Sequence, residues 1–156
     1  MITEPLAEHR WLQALVGDWT FEGEGTMGPD KPPHRFTGTE TVRSIGGVWV
    51  QLEGRGEMPD GTPSITLMTL GYDPAKKRYL GTWIGSMMTH MWIYDGVLDG
   101  NVLTLETEGP DFVTEGKTTR YRDTIEIESA EHRVLSSQAL GDDGSWHTFM
   151  TAHYRR

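Results

Sequence analysis

The sequence predicts an all-β protein: about ten antiparallel strands in up-and-down order, closed into a β-barrel, with a short N-terminal helix. Three observations predict it. After Gly17 the chain breaks into short runs rich in Val, Ile, Thr, Trp and Tyr. Turn residues punctuate these runs at short intervals, so neighbouring strands pair antiparallel. A meander of that length must also bury one face and hide two edges, and closure does both at once. A two-sheet sandwich is the alternative arrangement.

The chain has 156 residues, which fits a single domain over residues 1–156. The helix is expected at about residues 5–16, where Pro5 suits a first turn and Glu4 and Glu8 favour its N-terminal end. Leu6, Trp11, Leu12, Leu15 and Val16 cluster on one side of it, and Gly17 stops it. Strands are expected at roughly 18–26, 36–45, 47–57, 64–72, 77–84, 89–98, 101–108, 117–127, 132–140 and 145–155. Gly46-Gly47 marks a corner or bulge, and Pro59-Asp60-Gly61 and Asp73-Pro74 are turns. Asp99-Gly100-Asn101 and Asp142-Asp143-Gly144 read as tight hairpin loops, and the stretch Gly28–Pro33 reads as a loop.

Composition narrows the function classes. Fourteen basic against twenty-three acidic residues give a net charge of −9, which repels nucleic acid and anionic lipid. Cysteine is absent, so disulfides and thiolate metal sites are excluded. The N-terminus lacks the basic and apolar regions of a signal peptide. No apolar run approaches the roughly 20 residues that span a bilayer, so a cytoplasmic location is expected.

The motif Gly17-Asp18-Trp19-Thr20 follows the helix directly. It resembles the Gly-x-Trp opening of lipocalins and the wider calycin group, in which the Trp closes the barrel floor beneath an Arg from the last strand. The resemblance implies that Arg155 or Arg156 stacks on Trp19. A longer match joins Glu8-His9-Arg10-Trp11-Leu12, Gly17-Asp18-Trp19, Ile45-Gly46-Gly47-Val48-Trp49, Leu70-Gly71-Tyr72-Asp73-Pro74, Tyr79-Leu80-Gly81-Thr82-Trp83-Ile84 and Gly96-Val97-Leu98-Asp99-Gly100. In order and spacing these pieces resemble the bacterial domain-of-unknown-function family fifteen-seventy-nine. That resemblance implies a lipocalin-like barrel and a bacterial source, and carries no activity with it. A related ten-stranded group, the nitrobindins, binds haem through a His on its last strand. With the terminal Arg-Arg ends aligned, that position falls at Phe149, and His147 and His153 are out of register with it, which speaks against haem.

Strand alternation sorts the candidate functional residues. Trp19, Phe21, Gly23 and Gly25 share one face of the first strand, and the acidic face opposite must lie outside. In strand 64–72 both faces are apolar, so one is expected to meet the lumen and the other a neighbouring element. The segment 83–94 gathers three Met, two Trp and a Tyr around His90. Adaptable Met and large aromatics suit a cavity for an apolar guest, although ordinary core filling uses the same residues. The expected lining is Trp49, Met68, Trp83, Met87, Met91, Trp92, Tyr94, His147 and Phe149. Arg120 and Arg122 share one face of strand 117–127, with Tyr121 and Asp123 on the other. Inward they would bind a carboxylate, outward they would pair with surface acids.

The leading expectation is therefore a barrel that binds a small, largely apolar molecule. An isomerase or cyclase using His90 or His147 as acid or base is the alternative. Haem binding, or a surface role as a homodimer, is third. No cofactor is expected. Neither is a metal site, because no His-x-His or His-Glu-x-x-His spacing occurs, and His147 and His153 on one strand would lie about 20 Å apart.

Overall fold

The computed structural model describes residues 4–26 and 31–156. Helix α1 spans Ala7–Gln13, shorter than the expected 5–16. Its end tightens: the N–H groups of Ala14, Leu15 and Val16 donate three residues back, to Trp11, Leu12 and Gln13. Gly17 then takes a φ of 138° and starts the first strand. Ten strands follow: β1 Gly17–Gly25, β2 His34–Ile45, β3 Trp49–Glu57, β4 Pro63–Asp73, β5 Arg78–Gly85, β6 Trp92–Asp99, β7 Val102–Pro110, β8 Thr118–Ser129, β9 His132–Leu140 and β10 Trp146–Arg155. Each pairs antiparallel with its sequence neighbours, and β10 closes on β1 from Thr20–Arg155 to Gly25–Met150. The predicted strand at 89–98 begins only at Trp92, because Ser86–Met91 lie in a turn. Of the expected loop Gly28–Pro33, Gly28, Pro29 and Asp30 lie outside the described residues.

The helix docks against β3 and β4 at the closed end of the barrel, burying Leu12 and Leu15 completely. Complete burial of such a side chain contributes about 1.5–3 kcal/mol. His9 ties this helix down. Its Nδ1 accepts the Leu6 N–H at 2.9 Å, which leaves Nε2 to donate to the Tyr72 carbonyl at 3.0 Å. The Tyr79 hydroxyl donates to the Glu8 carbonyl at 2.9 Å.

Trp19 is the floor. Its indole N–H donates to the Leu15 carbonyl at 2.8 Å. Two guanidinium groups face its ring, Arg156 at 4.0 Å and Arg133 at 4.9 Å. Of the two arginines expected there, Arg156 takes the place. Arg155 instead points outward to Glu22, at 2.9 Å. Arg133 is buried, lies 4.0 Å over the Tyr154 ring, and pairs with Glu40 across the barrel.

One wall departs from expectation. Part of the outward apolar face of β4 is left uncovered by the described residues: Ile65 is exposed there, as are Ile84 on β5 and, most of all, Ile93 on β6 at 67%. Among the described residues no helix is long and apolar enough to cross a membrane.

Candidate functional site

Inside the barrel, alternation directs Leu103 and Leu105 of β7, Tyr121 and Ile125 of β8 and Tyr94 of β6 toward the axis, and all are buried. Their neighbours on the same inner face are not all sealed. Trp83, Asp123, Leu135 and Ala139 are only half-buried, although each faces the axis and packs among buried residues. Tyr94 donates its hydroxyl to Asp123 Oδ2 at 2.6 Å, reaching over β7 from β6 to β8. Ser137 is opposite Asp123 on β9. Burial pushes the Asp123 carboxyl up from its ordinary value, and Ser137 and the bond from Tyr94 pull it partly back. Burial beside Asp123 likewise holds the Tyr94 phenol well above its ordinary value, so it stays a donor.

At the open end four aromatic rings converge. Phe112, from the β7–β8 loop, lies 5.4 Å from Tyr121, 5.9 Å from Phe149 and 6.3 Å from Trp92. Tyr121 donates to the Pro110 carbonyl at 2.7 Å, and burial raises its phenol to about 12. Gly109 allows this packing, since a Cβ there would overlap the Trp92 ring. The Trp92 indole N–H in turn donates to Met88 Sδ at 3.1 Å.

Strands β6 and β7 separate near this end. Their ladder runs from Asp99–Val102 to Asp95–Glu106 and stops there, although β6 begins at Trp92 and β7 continues to Pro110. A hollow of about 380 Å³ occupies the seam, lined by His90, Met91, Ile93, Thr107, Glu108 and Arg120 among others. His90 stands edge-on to Trp92 at 4.7 Å, and its Nε2 lies 3.2 Å from the Glu108 carbonyl, which makes that nitrogen the donor. Thr107 carries a buried hydroxyl that has no partner among the described residues.

The expected lining residues divide accordingly. Met68, Trp92 and Tyr94 are buried inside, Trp83 faces the axis half-buried, and Phe149 belongs to the aromatic ring cluster. His90 and Met91 line the seam on its outer side. Trp49 is a correction: alternation places it outside at the closed end, 40% exposed, over Gly71. Met87 is exposed and covers Gly85 beside Trp83. His147 is also a correction. A bulge between Thr148 and Met150 resets the alternation, so Phe149 turns inward; His147, opposite Ala139 in the ladder, is 63% exposed at the rim beside the Asp143–Ser145 turn.

His147 does meet Ser145 Oγ at 2.9 Å and Asp143 Oδ1 at 3.5 Å. Both contacts fall on the same ring nitrogen, Nε2, and the trio occupies an open turn. Nothing therefore orients the imidazole from behind as a nucleophile-activating triad requires. Arg120 and Arg122 point outward, to Glu106 at 3.4 Å and Gln138 at 2.6 Å, and Arg122 also covers the Trp146 ring at 4.2 Å.

Several residues of the interior escaped sequence reasoning. Asp123 had a usable signal, because it shares the strand face of Tyr121 opposite two arginines. Arg133 and Glu40 had none, since charged residues in strands are ordinarily outside. Burial holds the Glu40 carboxyl above the usual carboxylate range even with the Arg133 guanidinium beside it.

Solved structures share this architecture. Rv2717c of M. tuberculosis is 16% identical with a TM-score of 0.68, over 98% of this chain and 99% of that one. The S-type phycobiliprotein lyase CPES of Guillardia theta is 12% identical with a TM-score of 0.60, over 97% and 98%. The redesigned β-barrel mFAP1, bound to DFHBI, is 14% identical with a TM-score of 0.51, over 94% and 99%. At such identities the likeness is one of fold. No curated protein matches the chain. The family described as a protein of unknown function, DUF1579, matches residues 4–156, and the chain belongs to it.

Proposed function

We propose that the barrel binds a small, largely apolar molecule inside, with one hydrogen-bond donor directed at Asp123. The observation that carries this reading is the half-buried state of Trp83, Asp123, Leu135 and Ala139, all facing the axis. Aromatic and aliphatic walls favour an apolar body, at about 25 cal/mol per Å² removed from water. The polar group they surround is an acceptor: Asp123, already holding the Tyr94 hydroxyl. A hydroxyl or amide N–H satisfies it, whereas an ionised ligand carboxylate offers it no donor. The barrel mFAP1, of the same fold, is bound to DFHBI, which supports a ligand role for such an interior.

Access runs past Phe112 at the open end, or through the seam where β6 and β7 part. Haem has little support here, since Phe149 cannot ligate iron, His153 points away from the axis, and His147 is exposed at the rim in the turn with Asp143 and Ser145. Tryptophan fluorescence, titrated with a long-chain alcohol and with the fatty acid of equal length, tests the proposal. Saturable change with the alcohol, weaker with the acid, and loss of that preference in Asp123→Asn are expected. The absence of any saturable change with either probe or with a wider panel of aromatic and isoprenoid alcohols would end it.

A further inference from the structure

The residues around the last β6–β7 rung, Asp95–Glu106, account for the break in that ladder. Asp95 and Glu106 are directly opposite and carry like charges. Each is drawn away by an arginine of the next strand out, Arg78 on β5 at 2.7 Å and Arg120 on β8 at 3.4 Å. Beyond them the outer face would set apolar Ile93 against charged Glu108. On the inner side the Trp92 ring fills the space that a side chain at Gly109 would need. By the alternation of an antiparallel ladder, the next bonded rung would join Ile93 to Glu108. The Glu108 carbonyl instead accepts from His90 Nε2 at 3.2 Å, so an imidazole replaces the missing strand bond.

Two ways into the barrel are held unequally. At the open end Asp111 fixes the β7–β8 loop. Its carboxylate accepts from the Thr119 hydroxyl at 2.6 Å and from the Val113 and Thr114 amides at 2.8 Å each, and its N–H donates to the Lys117 carbonyl at 2.8 Å. That loop seats Phe112 among Trp92, Tyr121 and Phe149. The seam is bridged on its outer side by the His90–Glu108 bond and deeper in by the Tyr94 hydroxyl on Asp123. Thr107 borders the seam hollow and is diagonal to Asp123 on the inner face. Its buried hydroxyl, without a partner among the described residues, burdens the closed seam and gains a bond once water or a ligand hydroxyl enters.

We propose that the β6–β7 seam is the gate of the barrel and His90 its latch. The Ser86–Met91 turn and the Trp92 ring swing away from β7 while the aromatic end stays shut. The purpose of the gate rests on the interior being a ligand site, but its opening is a property of the empty barrel. Exposed Met91 and Ile93 offer apolar surface at the entrance, and Thr107 meets a ligand hydroxyl on its way to Asp123.

The chain has no cysteine, so one introduced thiol reports the opening, because a thiol sealed from water stays inert. Thr107→Cys is to be labelled with monobromobimane in the full chain without ligand, alone and combined with His90→Ala, His90→Gln or Asp111→Asn. Circular dichroism verifies each fold, and urea kinetics give the rate of global unfolding. Labelling is expected to outpace global unfolding, as local opening does. His90→Ala should speed it about three- to tenfold, the weight of one hydrogen bond. His90→Gln, which keeps a donor for Glu108, should restore the slow rate, and Asp111→Asn should leave it unchanged. Stopped-flow tryptophan emission with a long-chain alcohol should show on- and off-rates raised together in His90→Ala. Labelling no faster than global unfolding, or indifferent to His90 and accelerated by Asp111→Asn, overturns the gate. Labelling that follows His90 without saturable binding of the alcohol panel leaves the gate standing and sinks the interior site.

Discussion

Asp123 shows how one side chain couples the interior to pH. Burial raises its folded-state pKa above the unfolded value of about 3.9. The folded chain therefore keeps a proton that the unfolded chain has already released. Stability is highest below the unfolded pKa, falls as pH rises through the interval up to the folded pKa, and is flat beyond it. Asp123→Asn keeps an acceptor for the Tyr94 hydroxyl and removes the charge. The variant is expected to be more stable than the parent at pH 7, with the difference shrinking toward pH 4, as read from urea midpoints across that range. Arg133 makes the complementary case. It shares its buried position with Glu40, and its Nε has no partner among the described residues. Removing one member of such a pair strands the other, so Arg133→Met should lower the unfolding free energy by about 3–5 kcal/mol, and Arg133→Met combined with Glu40→Leu should recover most of it. Urea unfolding of the three variants measures this. Neither residue was legible as interior beforehand, because a lone charge in a strand gives no sign of a partner 93 positions away.

Elements with regular alternation and strong turn residues were read well from sequence. The hairpins at Gly100 and Gly144 fall where Asp-Gly pairs mark them, and both glycines have φ in the left-handed region, 62° and 81°. The irregular elements were not. The bulge at Phe149 leaves no sequence signature, yet it decides that Phe149 meets Tyr121. The Ser86–Met91 turn likewise shortens β6 and moves Met87 and Met91 outside. The β7–β8 loop is held by Asp111, whose carboxyl is lowered to about 2 by the Thr119 hydroxyl first and by the Thr114 and Val113 amides next. This anchoring is complete above the unfolded carboxylate pKa and is lost as pH falls from about 4 toward 2. Asp111→Asn should free the loop that carries Phe112, giving faster amide hydrogen exchange at Val113 and Thr114 at neutral pH. Unchanged exchange at both amides would show that the loop is held by something else.

The barrel as a whole is closed by its two chain ends. β10 pairs with β1, and the last residue locks the floor: Arg156 donates to the carbonyls of Ala14 at 3.0 Å, Val16 at 2.6 Å and Ala130 at 2.8 Å. These bonds join the helix exit to the β8–β9 turn while the guanidinium covers Trp19. Arg156→Ala should cost about 2 kcal/mol, since hydrogen bonds from charged groups contribute more than neutral ones. Chemical denaturation, with the emission of the six tryptophans as the signal, measures that loss. A variant as stable as the parent would mean that the strand ladder alone closes the barrel.

What the sequence determined by itself was the periodic part: an N-terminal helix, ten strands, closure, and a tryptophan floor under a terminal arginine. Local alternation and turn chemistry specify those features, and each is set within a few residues of chain. Only the tertiary structure decided which polar groups share the inside and which histidines share the outside. Glu40 meets Arg133, Tyr94 meets Asp123, and His132 meets His153 because separate strands are brought into one register, and a bulge of a single residue is enough to change that register.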